Sequence, residues 1–224
     1  MAAKIDCDPL EKALRERVEV ARRLVDATKL KPVPAGDVSR EARGLAIVLL
    51  FAAYENLLTA LCRTLLESAA KSRARGRRLK PGLQLFLAHN ELSGLADGGK
   101  SRIWRSAGLE LIKALNDRPA ASLNMNLFPN DGSFMKSSQV KLFCEVFDLG
   151  DPGPILREVW PRINTIVDQR NAIAHGRTTP DEIGRSYSYD ELIKLTRLWE
   201  ERWVDFLKWV EASCQGPLVF LKSR

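Results

Sequence analysis

The chain contains two histidines, and one of them, His175, lies in the stretch RNAIAHG, Arg170 to Gly176. An imidazole changes charge near neutral pH, which makes it the first candidate for general acid–base work. Arg170 carries a permanent cation with a planar fork of donors, which suits a phosphate group. A helix turns ~100° per residue, so Arg170 and His175, five apart, lie ~140° from each other and share no narrow face. Asn171 and His175 are four apart and do share one, so Asn171 is placed to orient or hydrogen-bond the imidazole. Gly176 is expected at the position just past the helix end. That leaves His175 in the last turn, where the helix dipole favours the imidazolium. Spacing alone also fits an ordinary alternative, a capping histidine beside a surface arginine.

Other residues with chemical potential are scattered. Glu55 is an acid inside the apolar run LAIVLLFAAYENLLTAL. A buried carboxylate without a partner is costly, so Glu55 either pairs with a basic group or helps to build a site. KSRARGRRLK holds six basic residues in ten: Lys71, Arg73, Arg75, Arg77, Arg78 and Lys80. It reads either as a solvated helix end and loop or as a phosphate-contacting patch. His89 has no companion His or Cys and is expected to be structural or on the surface. Cys7, Cys62, Cys144 and Cys214 are far apart, with no C-x-x-C spacing. This argues against a zinc site, and the reading is reduced thiols in a cytoplasm, with Cys62 in the core.

The elements that must position these residues read as helices almost throughout. Leu10, Leu14, Val18, Ala21, Val25 and Thr28 recur at steps of three and four, with Asp8 and Pro9 as N-cap and first residue of a helix over about 8–30. A long, central, buried helix is expected from about Asp37 or Ser39 to about Ala74. Shorter helices follow over Leu83–Ala96 and Arg102–Leu115. Residues 117–138 look irregular and rich in turn formers. QVKLFCEVFDLG reads as a short helix ended by Gly150, and DPGPILREVW as another. Pro161 opens the helix that carries RNAIAHG, with Ile163, Ile166, Val167, Ala174 and Ile173 on its inner side. The last helix spans Tyr189–Ser213, with Leu192, Leu195, Trp199, Trp203, Phe206 and Val210 along one face. The expectation is one all-α domain over residues 1–224, with a core at about 38–213.

A chain of 224 residues supports one good core or two small ones. With 45% hydrophobic and 28% charged residues it has the composition of a folded soluble protein. A net charge of +7 favours an anionic partner such as nucleic acid. The start lacks the apolar stretch of a signal peptide, and the longest unbroken apolar run, Leu45 to Tyr54, is about half of a membrane span, so no membrane partner is expected.

The arginine, the polar residue after it and the histidine near a helix end resemble the R-x4-6-H signature of the HEPN superfamily, here Arg170, Asn171 and His175. AAYENLLTAL is similar to the family's early core helix with its acid, here Glu55. LNMNLFPNDGSFMKSSQVKLFCEVFDLGD resembles the stretch before the motif helix in the RiboL-PSP-HEPN branch, and YSYDELIKLTRLWEERWVDFLKWVE its closing helix. The resemblance covers residues 40–213. It implies an HEPN-like helical bundle with an irregular mid-chain insert and a homodimer. It also implies a metal-independent endoribonuclease that needs no cofactor, in a toxin or antiphage defence setting, with an antitoxin or other regulatory protein as a further partner. Some members of the superfamily have no nuclease activity, which leaves a catalytically silent module binding RNA or protein as the alternative. Some HEPN toxins carry a tyrosine two residues after the histidine; Arg177 stands there instead and would add a phosphate contact. In the implied site His175 is acid or base, Arg170 holds the scissile phosphate, Asn171 positions either, and Glu55 pairs with Arg170 or orients it. One protomer is a histidine short of an acid–base pair, so an active site would be built from two motif helices across a two-fold axis.

Overall fold

A 33-residue helix, α2 (Val38–Ala70), forms the axis around which the other long helices pack. The computed structural model describes residues 5–29, 38–96, 103, 106–216 and 218–222. α2 is apolar on most faces and buries side chains all round, from Ala46, Ile47 and Leu50 through Tyr54, Leu58 and Leu61 to Leu65 and Leu66. By length and composition alone it would reach across a membrane, but over half of its most apolar window, 56%, is buried inside the fold. It stops at Ala70, four residues before the sequence pattern suggested. Lys71, Ser72 and Arg73 turn back on Glu67, Ala69 and Ala70, and Arg73 takes a φ of 55° that no helix continues through.

Helix α1 (Asp8–Ala27) lays Leu14, Val18, Ala21 and Val25 against α2. It begins one residue earlier than expected: Asp8 is already helical, and its N–H is held at 3.0 Å by the Asp6 carboxylate. The closing helix spans Tyr189–Ser213 as expected, and all six residues of its anticipated apolar face are buried. Ser188 starts it with a reciprocal cap, its hydroxyl accepting from the Glu191 N–H while the Glu191 carboxylate accepts from the Ser188 N–H. Glu200 on this helix receives both Arg15 and Arg22 of α1, which fixes the two helices against each other.

The middle of the chain is made of short pieces. A 3₁₀ turn, Gly76–Arg78, sits inside the basic segment. The stretch read as one helix over Leu83–Ala96 is two, α3 (Pro81–Leu87) and α4 (His89–Ala96), divided at Ala88, whose φ of −110° leaves the helical range. Helix α5 (Ser106–Asp117) follows; the anticipated start at Arg102 and the segment KPVPAGD lie outside the described residues. Residues 123–136 carry no helix, in keeping with their turn formers. Side chains of Asn124, Asn130 and Asp131 each accept the N–H two residues on, closing three local turns. Helix α6 (Ser137–Phe147) ends on Asp148, a residue with φ 55°, and α7 (Gly153–Leu156) is a single turn.

The motif helix α8 (Trp160–Ala174) buries Ile163, Ile166 and Val167. Ile173 is only half-buried, and Ala174, expected on the inner side, is exposed, because the last turn rises clear of the core. A helix that the sequence reading missed comes next: α9 (Pro180–Arg185), announced by the capping box Thr179–Glu182 with Pro180 at its first turn. The closing helix is numbered α10. α9 lies on the first turns of α2 with backbones in direct contact. A Cβ on Gly44 would fall 2.0 Å from the Pro180 carbonyl oxygen, and one on Gly184 would fall 1.9 Å from the Arg40 carbonyl oxygen. Among the described residues there is no strand, only the isolated bridges Arg75–Pro119 and Leu79–Leu221. The fold is all-α, as the residue pattern indicated.

Two outcomes follow from this packing. Gly44→Ala forces the α9 backbone away from α2 and is expected to lower unfolding free energy by about 1–3 kcal/mol in a denaturant titration, the usual cost of overpacking. All four cysteines are free and buried. Burial pushes the thiols of Cys7, Cys62 and Cys144 up to about 12 and that of Cys214 to about 11. A thiol reagent at pH 8 should therefore titrate none of the four in the native protein and all four after denaturation.

Candidate functional site

The last turn of α8 ends on a backbone lock. Gly176 takes φ 67°, its N–H reaches the Ile173 carbonyl at 3.0 Å, and the Arg177 N–H reaches back to the Ala172 carbonyl at 2.9 Å. This is a Schellman arrangement, with His175 as the C-cap and Gly176 just past it, where a residue without Cβ takes the left-handed conformation at least cost. His175 is exposed at that end, and so is Arg177. Among the described residues the His175 ring has no hydrogen-bond partner.

One turn earlier, Arg170 and Asn171 point elsewhere. They line a cleft of about 210 Å³ together with Phe51 and Glu55 of α2, Asn130, Phe134 and Met135 of the irregular segment, and Gln139 of α6. The Arg170 guanidinium sits over the Phe51 ring, 4.5 Å from its centroid, and donates to the Asn171 carboxamide oxygen at 3.0 Å. Among the described residues no carboxylate comes within ion-pair distance of Arg170. Glu55, half-buried, stands on the same cleft without pairing with it. The Asn171 side chain thus steadies the arginine rather than the imidazole; its tie to His175 is only the backbone bond of the helix, at 3.0 Å. His175 does not line this cleft, which agrees with the ~140° offset across five helical residues.

The cleft wall opposite α8 is loop, and its shape is imposed from beneath. Tyr54, fully buried, donates from its hydroxyl to the Met135 carbonyl at 2.7 Å. Burial, helped by the negative charges of Asp131 and Glu55, holds the phenol well above its ordinary range, so it stays a neutral donor. Gln139 accepts from the Met135 N–H at 2.7 Å and donates to the Pro129 carbonyl at 2.9 Å. The loop is also tied to the motif helix. Asn164 accepts the Ser137 N–H at 2.9 Å, and Lys136 pairs with Asp168 at 2.8 Å.

The basic segment lies apart from this cleft. Lys71 is sixteen residues beyond Glu55, about 24 Å along the α2 axis at ~1.5 Å per residue. Lys71, Arg73, Arg75 and Arg77 are exposed, while Arg78 and Lys80 are partly covered. Lys80 pairs with Asp148 at 2.7 Å, and Arg75 lies 3.8 Å from Asp117. His89 is exposed on a separate, mainly apolar pocket of about 280 Å³. Among the described residues no group of three His, Cys, Asp or Glu side chains is arranged to hold a metal ion.

The sequence model of the RiboL-PSP-HEPN family matches residues 13–200, which takes in most of α1, both walls of the cleft and the whole of RNAIAHG. The chain belongs to the RiboL-PSP-HEPN family. HEPN domains are all-α, and they commonly bind RNA and dimerise. Among curated proteins and among solved structures nothing matches the chain. Within the matched residues, Arg170 and Asn171 line the cleft and His175 does not.

Sequence reasoning missed Phe51, Asn130, Phe134, Met135 and Gln139. Phe51 carried a signal, since it stands four residues before Glu55 and so on the same helical face. The loop residues carried none, because their placement depends on the buried Tyr54. Tyr54→Phe should leave the Met135 carbonyl without its buried donor. The expected cost is about 1–3 kcal/mol of unfolding free energy, with faster amide exchange at 134–136, read by hydrogen–deuterium exchange.

Proposed function

We propose that the chain is a metal-independent endoribonuclease of HEPN type, acting in a toxin or antiphage defence setting. The observation that carries this reading is Arg170. Its guanidinium is held in a half-buried cleft by an aromatic ring and an amide, and among the described residues no carboxylate forms an ion pair with it, although Glu55 shares the cleft. A fixed cation left uncompensated at a concave surface is a receptor for an anion, and its planar fork matches two phosphate oxygens.

The reaction needs a base to take the 2′-hydroxyl proton as that oxygen bonds to phosphorus. It needs an acid to protonate the 5′-oxygen as its bond to phosphorus breaks. The products are a 2′,3′-cyclic phosphate and a 5′-hydroxyl. Arg170 steadies the charge on the phosphoryl oxygens, Asn171 holds the arginine, and His175 serves as acid or base, with Arg177 beside it as a further phosphate contact. One protomer offers one motif histidine, outside its own cleft, so the reading requires a homodimer in which the partner's motif helix completes the site. The basic residues Lys71–Lys80, far along α2, would gather the RNA rather than cut it.

A second reading, a catalytically silent module that dimerises and binds RNA or protein, is favoured by one observation: the His175 ring lies off the cleft and has no hydrogen-bond partner among the described residues. Mixed RNA incubated in excess EDTA with the wild-type chain, His175→Ala and Arg170→Ala separates the two. The expected outcome is EDTA-resistant cutting to cyclic-phosphate ends, reduced ~10²–10⁴-fold by His175→Ala, and a dimer mass by light scattering. Equal cutting by wild type and His175→Ala, or cutting abolished by EDTA, would sink the mechanism.

A further inference from the structure

Phe134 is the most exposed large apolar side chain among the described residues, at 73%, and its φ is 53°. Bulky residues rarely adopt that backbone region, and they persist there only where the surroundings over-determine them. Here the surroundings act one residue on. Met135, also at positive φ (72°), is gripped through its carbonyl by Tyr54 and through its N–H by Gln139, and its side chain is buried. With Met135 pulled inward, the preceding residue is driven outward, and the Phe134 ring stands at the mouth of the cleft that holds Arg170 and Asn171.

Strain of this kind has a cost, and an exposed ring adds nothing to the core to offset it. Asn130, Asp131 and Ser133 precede it on the loop, and the cleft adds Glu55, Arg170 and Asn171, with Phe51 against the guanidinium. The exposed apolar residues that would build a protein-docking face, such as Leu85, Leu109 and Ile112, belong to α3 and α5 instead. An exposed aromatic ring beside a guanidinium that has no ion pair among the described residues matches one unpaired nucleobase and its phosphate, since every base offers a π-face whatever its identity.

We propose that Phe134 is a nucleobase-stacking platform, so that the cleft takes single-stranded RNA with one unstacked base on the Phe134 ring and the adjoining phosphate on Arg170. This rests on the ribonuclease reading for the identity of the ligand, and it adds the residue that would hold the base; the bases of paired RNA cannot reach the ring.

The test uses a 12-nucleotide single-stranded RNA carrying 2-aminopurine at one position. It is titrated at low salt in EDTA into the full chain bearing His175→Ala, with and without changes at Phe134. Stacking quenches the 2-aminopurine. Binding with quench is expected for the parent. Phe134→Ala should bind about tenfold more weakly with little quench, and Phe134→Trp should restore both. A duplex of the same sequence should bind at least tenfold more weakly than the single strand. Phe134→Gly relieves the backbone, so its melting temperature should stay at or above that of the parent while RNA affinity falls, which separates lost contact from lost fold. Unchanged affinity and quench in Phe134→Ala would overturn the proposal even if wild type cuts RNA. A change of molar mass in Phe134→Ala with RNA affinity intact would also overturn it, and would assign the ring to contact with a second copy. Retained cutting by His175→Ala, by contrast, would overturn the mechanism of cleavage and leave the stacking result standing.

Discussion

Tyr54 donates a hydrogen bond from its hydroxyl to the Met135 carbonyl from a position with no solvent contact, and the cleft depends on that bond more than on any other. The phenol itself is immobilised by aromatic packing, edge-on to Trp199 at 5.8 Å and tilted against Trp203 at 4.8 Å. Those two tryptophans are buried faces of α10, and Phe51, 6.3 Å from Tyr54, continues the chain of rings to the guanidinium of Arg170. One contiguous aromatic stack therefore sets both walls. Its Tyr54 end shapes the loop, and its Phe51 end seats the cation. Packing at this density transmits displacement, so the geometry of the cleft is tied to the deepest layer of the core.

The way Arg170 is restrained matters as much as its presence. Elsewhere in the chain arginines are held by acids: Arg118 by Glu91 at 2.6 Å, Arg22 by Glu200 at 2.7 Å, Arg202 by Glu158. Those pairs organise structure and cancel charge. At Arg170 the restraint comes from a ring quadrupole and an amide dipole, which orient the guanidinium and leave its net charge in place. Glu55 shares the cleft yet forms no pair with it, so the positive charge keeps an open side.

The helices were legible wherever one face had to be buried. The closing helix, the α1 face and the end of α8 at Gly176 follow from periodicity and from the cost of the left-handed region to any residue with a Cβ. What escaped depends on contacts between distant residues. The positive φ at Phe134 and Met135 goes with two grips on Met135, one from Gln139 four residues on and one from Tyr54, some eighty positions earlier, and only the first is local. The break at Ala88 and the early stop of α2 escaped for a related reason, since propensity continues through both and tertiary packing does not. α9 was readable and overlooked: Thr179, Pro180 and Glu182 are a helix start in plain sequence. Within the motif, spacing correctly separated Arg170 from His175, yet it aimed Asn171 at the imidazole, because helical geometry says which residues are neighbours and not which of two neighbours an amide will choose.

The contact between α9 and α2 has a consequence for length. Gly176 fixes where α8 ends, and the Gly44–Pro180 contact fixes where α9 begins, so only residues 177–179 bridge two rigid points. That bridge acts as a ruler. An insertion or deletion there would be accommodated at the surface with the core intact, yet it would shift the helix end that presents His175 relative to α2. Its length is therefore constrained, although Arg177 and Thr179 are exposed and the bridge contributes little to the interior.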